Sequence, residues 1–243
     1  MTPAEFPPDA PTDDDTIEGS THILHEPHTP RWRRLPEERP RQIIDAAFQV
    51  FSDQGLEGAR LEEIARRAGV SKGTIYLYFA SKEELFRAVV EANVISVIEA
   101  AEQDAERRST DTLTADEELR RYMSRQWDHL RAPTYLAMYR LVHAELHHFP
   151  DLMRFYGNEV VERSLRLTAT IIARGVARRE FAAADPLVTA RLVASMLLTH
   201  ALWYSRRTLY DSSMSDDADA VRDGVIEFVL RSLRPAPLAP APR

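Results

Sequence analysis

The residues best suited to chemistry stand close together. Ser71, Lys72, Gly73, Thr74, Tyr76 and Tyr78 form one short run, with Arg60 before it and Lys82 after it. A lysine ammonium can reach a phosphate oxygen or a guanine edge. A threonine can offer its hydroxyl to a base edge or its methyl to a thymine methyl, and phenolic hydroxyls can hold phosphates. Gly73 lacks a side chain, so the backbone there can come close to another molecule. Lysine is otherwise missing: Lys72 and Lys82 are the only two, against 29 arginines. Together these groups suit a surface that holds a nucleic-acid duplex.

Two short helices must position them. Leu61, Ile64, Ala65 and Ala68 fall at i, i+3, i+4 and i+7, which makes one apolar helical face. Gly69 follows where a helix can end in a left-handed residue without a Cβ penalty. Val70 plugs the turn, and Ser71 is a good N-cap for a second helix. In that helix Ile75 and Phe79 turn inward at i and i+4, leaving Lys72, Thr74, Tyr76 and Tyr78 on other faces. Two helices joined by such a turn make a helix-turn-helix, whose second helix enters the major groove. The plainer alternative is an amphipathic helical hairpin with no partner.

The run GVSKGTIYLYFASKEELF resembles the signature of TetR-type bacterial transcription regulators, and RQIIDAAFQVFSDQG resembles their first helix. The resemblance spans about Arg39 to Val90. Further on, GVARREFAAADP (175–186) resembles the turn between two large helices of that family. The resemblance implies a ligand-responsive repressor that binds a palindromic operator on double-stranded DNA as a homodimer and is released by a small effector; the Met and aromatic residues of the body suit one that is apolar or aromatic. It also implies that helix four links the DNA-binding head to the body. One position departs from the pattern. Members usually carry Ser or Thr just before the second helix, as N-cap and phosphate contact, where this chain has Ala59 and Arg60; Arg60 can replace the phosphate contact but not the cap.

Composition sets bounds. At 243 residues and 44% apolar, the chain can bury a sizeable core. It has no cysteine, which excludes disulfides, thiolate metal sites and cysteine catalysis. No uninterrupted apolar run suggests a membrane span, and no basic-then-apolar leader opens the chain; the expectation is a cytoplasmic protein with no cofactor. The net charge of −7 is unevenly spread. Residues 1–30 carry seven acids and no Lys or Arg, whereas residues 31–90 carry eleven Lys or Arg against nine acids. The local field, rather than the total, steers DNA.

An all-α chain in four parts is expected. Residues 1–36 read as a disordered acidic, Pro-rich tail whose end, Arg31 to Arg34, could reach DNA. Residues 37–83 form the helix-turn-helix domain, 84–233 a helical effector-binding and dimerisation domain, and 234–243 a frayed tail. Helices are expected near 36–54, 82–107, 116–131, 133–148, 151–180, 185–210 and 217–233. Met123, Trp127, Tyr135, Met138, Tyr139, Val142, His143 and Leu146 are candidates to line an effector pocket. Val161, Leu165, Thr168, Ile172, Leu192, Met196, Thr199 and Trp203 are candidates for a dimer interface. Alternatives from other classes are an all-α enzyme built on a metal or general base at His143 and His147, or a helical adaptor that has lost DNA binding. No metal set is named, because no third ligand joins the histidine pair and no HExxH or nucleophile motif occurs.

Overall fold

The computed structural model describes residues 38–107, 113–206 and 217–235. The expected N-terminal tail and its basic arm, most of the loop at 108–115, and nearly all of the C-terminal tail lie outside the described residues. Among the described residues all regular structure is helical, in the order α1 (Glu38–Gly58), α2 (Leu61–Ala68), α3 (Lys72–Tyr78), α4 (Lys82–Val90), α5 (Ser96–Arg107), α6 (Ala115–Arg131), α7 (Pro133–Glu145), α8 (Pro150–Tyr156), α9 (Arg163–Ala177), α10 (Pro186–Ser205) and α11 (Ala218–Leu233).

The boundaries have local causes. Gly55 breaks α1 with φ 74° and ψ 170°, a backbone that side chains with a Cβ rarely adopt. Thr114 and Glu117 form a reciprocal capping box at the start of α6. Pro133, Pro150 and Pro186 open α7, α8 and α10, where a missing N–H costs nothing. The long helix expected from 82 to 107 is two helices joined by a π turn, Glu91–Ile95. The helix expected at 151–180 is likewise interrupted by a π turn, Gly157–Glu162. α7 stops at Glu145, short of the expected 148, and a 3-10 turn follows at Leu146–His148.

Two apolar cores hold these helices. One joins Ile43, Phe51, Ile64, Ile75 and Phe86 of α1–α4 to Met138, Leu141, Val142 and Leu146 of α7 and its following turn, and to Leu152 and Tyr156 of α8. The other gathers Leu119, Met123, Trp127, Ile171, Ile172, Leu197, Ile226 and Leu230 from α6, α9, α10 and α11. Each large apolar side chain so enclosed contributes about 1.5–3 kcal/mol of burial free energy. The division of the cores does not follow the expected domain boundary at residue 83, because the first core carries straight on from α1–α4 into α7 and α8.

Candidate nucleic-acid interface and effector cavity

The turn between α2 and α3 takes its shape from Gly69, at φ 66° and ψ 33°. Its N–H donates to Arg66 O at 3.3 Å, and Val70 N–H donates to Ala65 O at 3.0 Å. Ser71 caps α3 by accepting Thr74 N–H at 3.1 Å, and its Oγ lies 2.8 Å from Thr74 Oγ1. Ile75 is buried completely and Phe79 nearly so, which anchors α3. The opposite side is bare. Tyr76 and Tyr78 are exposed, and Leu77 is 82% exposed. Ser71, Lys72 and Gly73 are exposed and Thr74 half-buried. Leu77 was not among the residues expected to matter. An apolar side chain held out beside two tyrosines is the signal that exposes it, and it needed the helix placed before it could be read. Such a group can pack on a thymine methyl.

Nothing inside the protein requires glycine at position 73. A Cβ added there would meet only Ser71 Oγ at 3.7 Å, an ordinary contact. The space around Gly73 is open on the protein side.

The charges on this face are arranged in pairs. Lys72 Nζ lies 2.6 Å from Glu62 Oε1 and 5.9 Å from the centre of the Tyr76 ring. The hydrogen bond between them holds the Glu62 carboxyl below the usual range and raises the Lys72 ammonium. Arg66 and Arg67 both bond Glu63, which drops to about 2. Arg60 precedes α2 in an extended conformation, is exposed, and makes no side-chain cap. Lys82 is differently employed. Its ammonium donates to the carbonyls of Glu57 at 2.8 Å and Ala59 at 3.2 Å, satisfying backbone acceptors in the last turn of α1 and just past it. Of the two lysines, then, Lys72 stands on the open face, and Lys82 ties α4 to the α1–α2 junction.

In the body, a cavity of about 160 Å³ lies among α5, α6, α9 and α10 and the two π turns. Val94, Ile98, Leu130, Val160, Leu165, Val193 and Leu197 supply apolar walls. Tyr122, Gln126, His129, Tyr135, Tyr156, Ser164 and Thr168 supply polar groups. Val97 and Val161, both exposed, mark its mouth. Among the described residues no Lys, Arg, Asp or Glu lines it. Thr168 Oγ1 donates to Ser164 O at 2.9 Å, so the Tyr122 hydroxyl is the donor in its 2.8 Å bond to Thr168. Burial pushes the Tyr122 and Tyr135 hydroxyls up and Tyr156 to about 12, and it pushes His129 down. Burial thus disfavours the charged form of each of these groups.

Of the residues expected to line a pocket, Tyr135 does so. Met123, Trp127, Met138, Val142 and Leu146 are buried in the two cores. Their size and helical spacing satisfy core and cavity equally, and the core claims them. Tyr139 and His143 lie outside the cavity wall, stacked on each other at 3.8 Å between ring centres, with His143 exposed. His147 and His148 lie with their ring centres 3.7 Å apart and their planes tilted by 43°. Among the described residues no group of three or more His, Cys, Asp or Glu side chains gathers as a metal set would.

The residues expected at a dimer interface are also divided. Ile172 is buried in the chain's own core and Thr168 in the cavity wall, so neither is free to meet a second copy. Val161 and Leu165 belong to the cavity. Leu192, Thr199 and Trp203 are exposed on α10, and Met196 lines a shallow groove with His200, Val221, Val225 and Phe228. Phe228, on α11, is 65% exposed. The open apolar surface thus joins α10 to α11, whereas α9 and α10 were expected. α10 is long and apolar enough to cross a membrane by length and composition alone. Packing in the core on one side and this open stripe on the other account for its apolarity.

Residues 43–89 match the model for bacterial regulatory proteins of the tetR family, and residues 117–232 match the C-terminal domain of AefR-like transcriptional repressors. The chain is 31% identical over 144 residues to the fatty acid metabolism regulator protein of Bacillus subtilis, covering 58% of this chain and 71% of that one. It is 45% identical over 82 residues to the transcriptional activator FasR of Mycolicibacterium smegmatis, covering 33% and 37% of the two chains. The structure of FadR from Bacillus subtilis in complex with stearoyl-CoA superposes with a TM-score of 0.63 at 26% identity, over 79% of this chain and 98% of that one.

Proposed function

Because this chain belongs to the tetR family of bacterial regulatory proteins, we propose that it is a repressor that reads a palindromic operator with the exposed face of α3. It is a ligand-responsive DNA-binding regulator, and family membership decides against the enzyme alternative. The observation that carries the α3 assignment is the contrast within one short helix. Ile75 and Phe79 are locked into the core, while Lys72, Tyr76, Leu77 and Tyr78 face outward beside a glycine the protein itself does not need. Arg60, Ser71, Gly73 and Thr74 complete the contact set. Lys82 contributes by holding the junction behind it.

Two copies meet through the apolar stripe of α10 and α11, which sets two recognition helices roughly 34–36 Å apart, one turn of DNA. Repression, as opposed to activation, is favoured by the match of the body to a repressor model; the FasR match lies with an activator but covers a third of the chain. The protein works in the cytoplasm, where its operator lies. Residues 37–83 form its reading head and 84–233 its sensing body, even though the two share a core.

The effector presents an uncharged apolar portion, such as an acyl chain, to the cavity. The support is the neutral, valine- and leucine-rich wall together with the stearoyl-CoA carried by the FadR structure. Moving the protein from mostly bound to mostly free requires about 5.5 kcal/mol of difference in effector affinity between the two states. The test is release of a duplex, selected from random sequence by the purified protein, on adding acyl-CoA thioesters of rising chain length. Release that strengthens with chain length supports the reading. Failure of every acyl thioester to release bound duplex would overturn the effector class while leaving DNA recognition standing.

A further inference from the structure

The junction between α1 and α2 is gripped from the body. Glu145, the last residue of α7, accepts the backbone N–H of Glu57 through Oε2 at 3.2 Å, although the two are 88 residues apart in sequence. Lys82 of α4 takes the carbonyl of the same residue at 2.8 Å. The peptide groups on either side of Glu57 are therefore held by two opposite charges on two different helices. Gly55 makes room for the first. A Cβ there would stand 2.8 Å from Glu145 Oε1 and 2.9 Å from Cδ, closer than real Cβ contacts come. Gly55 also has the positive φ that bends the chain toward α2. The missing Cβ of Gly55 thus accommodates the incoming carboxylate, while its backbone angle shapes the same junction.

The junction sets where α2 and α3 lie. α2 starts at Leu61, four residues past Glu57, and α3 is fixed to α2 by the Gly69 turn. At its other end α7 reaches the cavity, where Tyr135 forms part of the wall. From Tyr135 to Glu145 is ten residues of helix, about 15 Å at 1.5 Å per residue. Tyr139 and His143 lie between, with Tyr139 stacked on Tyr135 at 6.4 Å. One rigid element thereby touches both the cavity and the head.

The geometry points to Glu145 as a positioning residue for DNA recognition, setting the orientation of α3 through the backbone of Glu57. It touches no DNA itself. This role rests on DNA binding alone, and holds whatever the effector proves to be.

The test uses the full-length protein and a palindromic duplex selected from random sequence by the wild type. A second duplex carries the same half-sites moved apart by one base pair. Glu145→Ala removes the grip. Glu145→Gln keeps an acceptor oxygen of the same reach without the charge. The Ala variant loses about tenfold or more on the selected duplex, within the range expected when one link between coupled parts is cut. It loses clearly less on the shifted duplex, so the preference for spacing narrows. The Gln variant stays within about threefold of wild type on both, because a neutral acceptor suffices for a backbone N–H. If Glu145→Ala does not fold, Glu145→Asp, which pulls the carboxylate back by one methylene, gives the same narrowing. Wild-type affinity in the shortened variants would overturn the proposal. So would an equal loss on both duplexes, since loss of folded protein lowers binding without regard to spacing.

Discussion

Lys72, at the first position of the recognition helix, is paired with Glu62 of the preceding helix at 2.6 Å, and both side chains are largely exposed. The free protein thus holds this exposed cation against an acid ten residues earlier, across the turn between α2 and α3. On the proposed reading, DNA must compete with Glu62 for that ammonium, and Glu62 itself faces an approaching polyanion.

Glu62→Gln should therefore tighten operator binding. The gain is expected to be about three- to tenfold at low salt and to shrink as salt screens the removed charge. Fluorescence anisotropy of a labelled operator across a salt series measures it. An unchanged or weaker affinity at low salt would mean that Lys72 is not drawn to the duplex.

Gly73→Ala separates folding from recognition. Alanine is the better helix former by up to about 1 kcal/mol, and the added Cβ has space beside Ser71 Oγ. Thermal stability should hold or rise, while operator affinity falls by about tenfold or more as the methyl intrudes on the close approach to the groove. Retained affinity would show that the duplex does not come near this backbone.

His129 gives the cavity a pH signature. It stands edge-on to Tyr135 at 5.0 Å, and burial lowers its protonation constant. Below the ordinary histidine value of about 6.5 the unfolded chain takes up a proton that the folded site resists. The unfolded state then binds more protons, so stability falls with pH from that value down to the depressed folded one. His129→Gln removes this contribution. Urea midpoints for the two proteins should diverge on moving from neutral to about pH 5.5, with the variant losing less. Equal losses would place the histidine in water.

Gly175 tests the joint between α9 and α10. A Cβ there would lie 2.2 Å from Phe181 Cδ2 and 2.9 Å from Ala115 Cβ, and the glycine's φ is not of the positive kind. Gly175→Ala should therefore cost stability by overpacking alone, about 1–3 kcal/mol. That corresponds to a fall in Tm of several degrees for a chain of this size, at about 2–4 °C per kcal/mol. Operator affinity of the remaining folded protein should not change.

The head was legible because its signals are local. Gly69 ends α2 and Ser71 caps α3 where their residue types require it, and Ile75 and Phe79 face inward as their spacing implies. Gly55 interrupts the first helix where it was expected to end. The body was legible as helices but not as surfaces. Helical spacing shows that Met123, Trp127 and Met138 are inside; it does not show which inside, because a core and a cavity wall are both apolar. The cavity is assembled from Ile98, His129, Thr168 and Leu197, residues far apart in the chain whose meeting depends on how four helices cross. The π turns at Glu91–Ile95 and Gly157–Glu162 leave no sequence mark, since one extra residue in a turn barely disturbs the apolar pattern. Glu145 escaped notice because its partner is a backbone N–H, which no side-chain motif reports.

The most direct test of the α3 assignment is the salt dependence of operator binding by the wild type and Lys72→Ala. If Lys72 neutralises a phosphate, the variant binds more weakly at every salt concentration. Its plot of log affinity against log salt is also shallower by about one unit. Parallel plots of equal affinity would contradict the account and move the recognition surface away from α3.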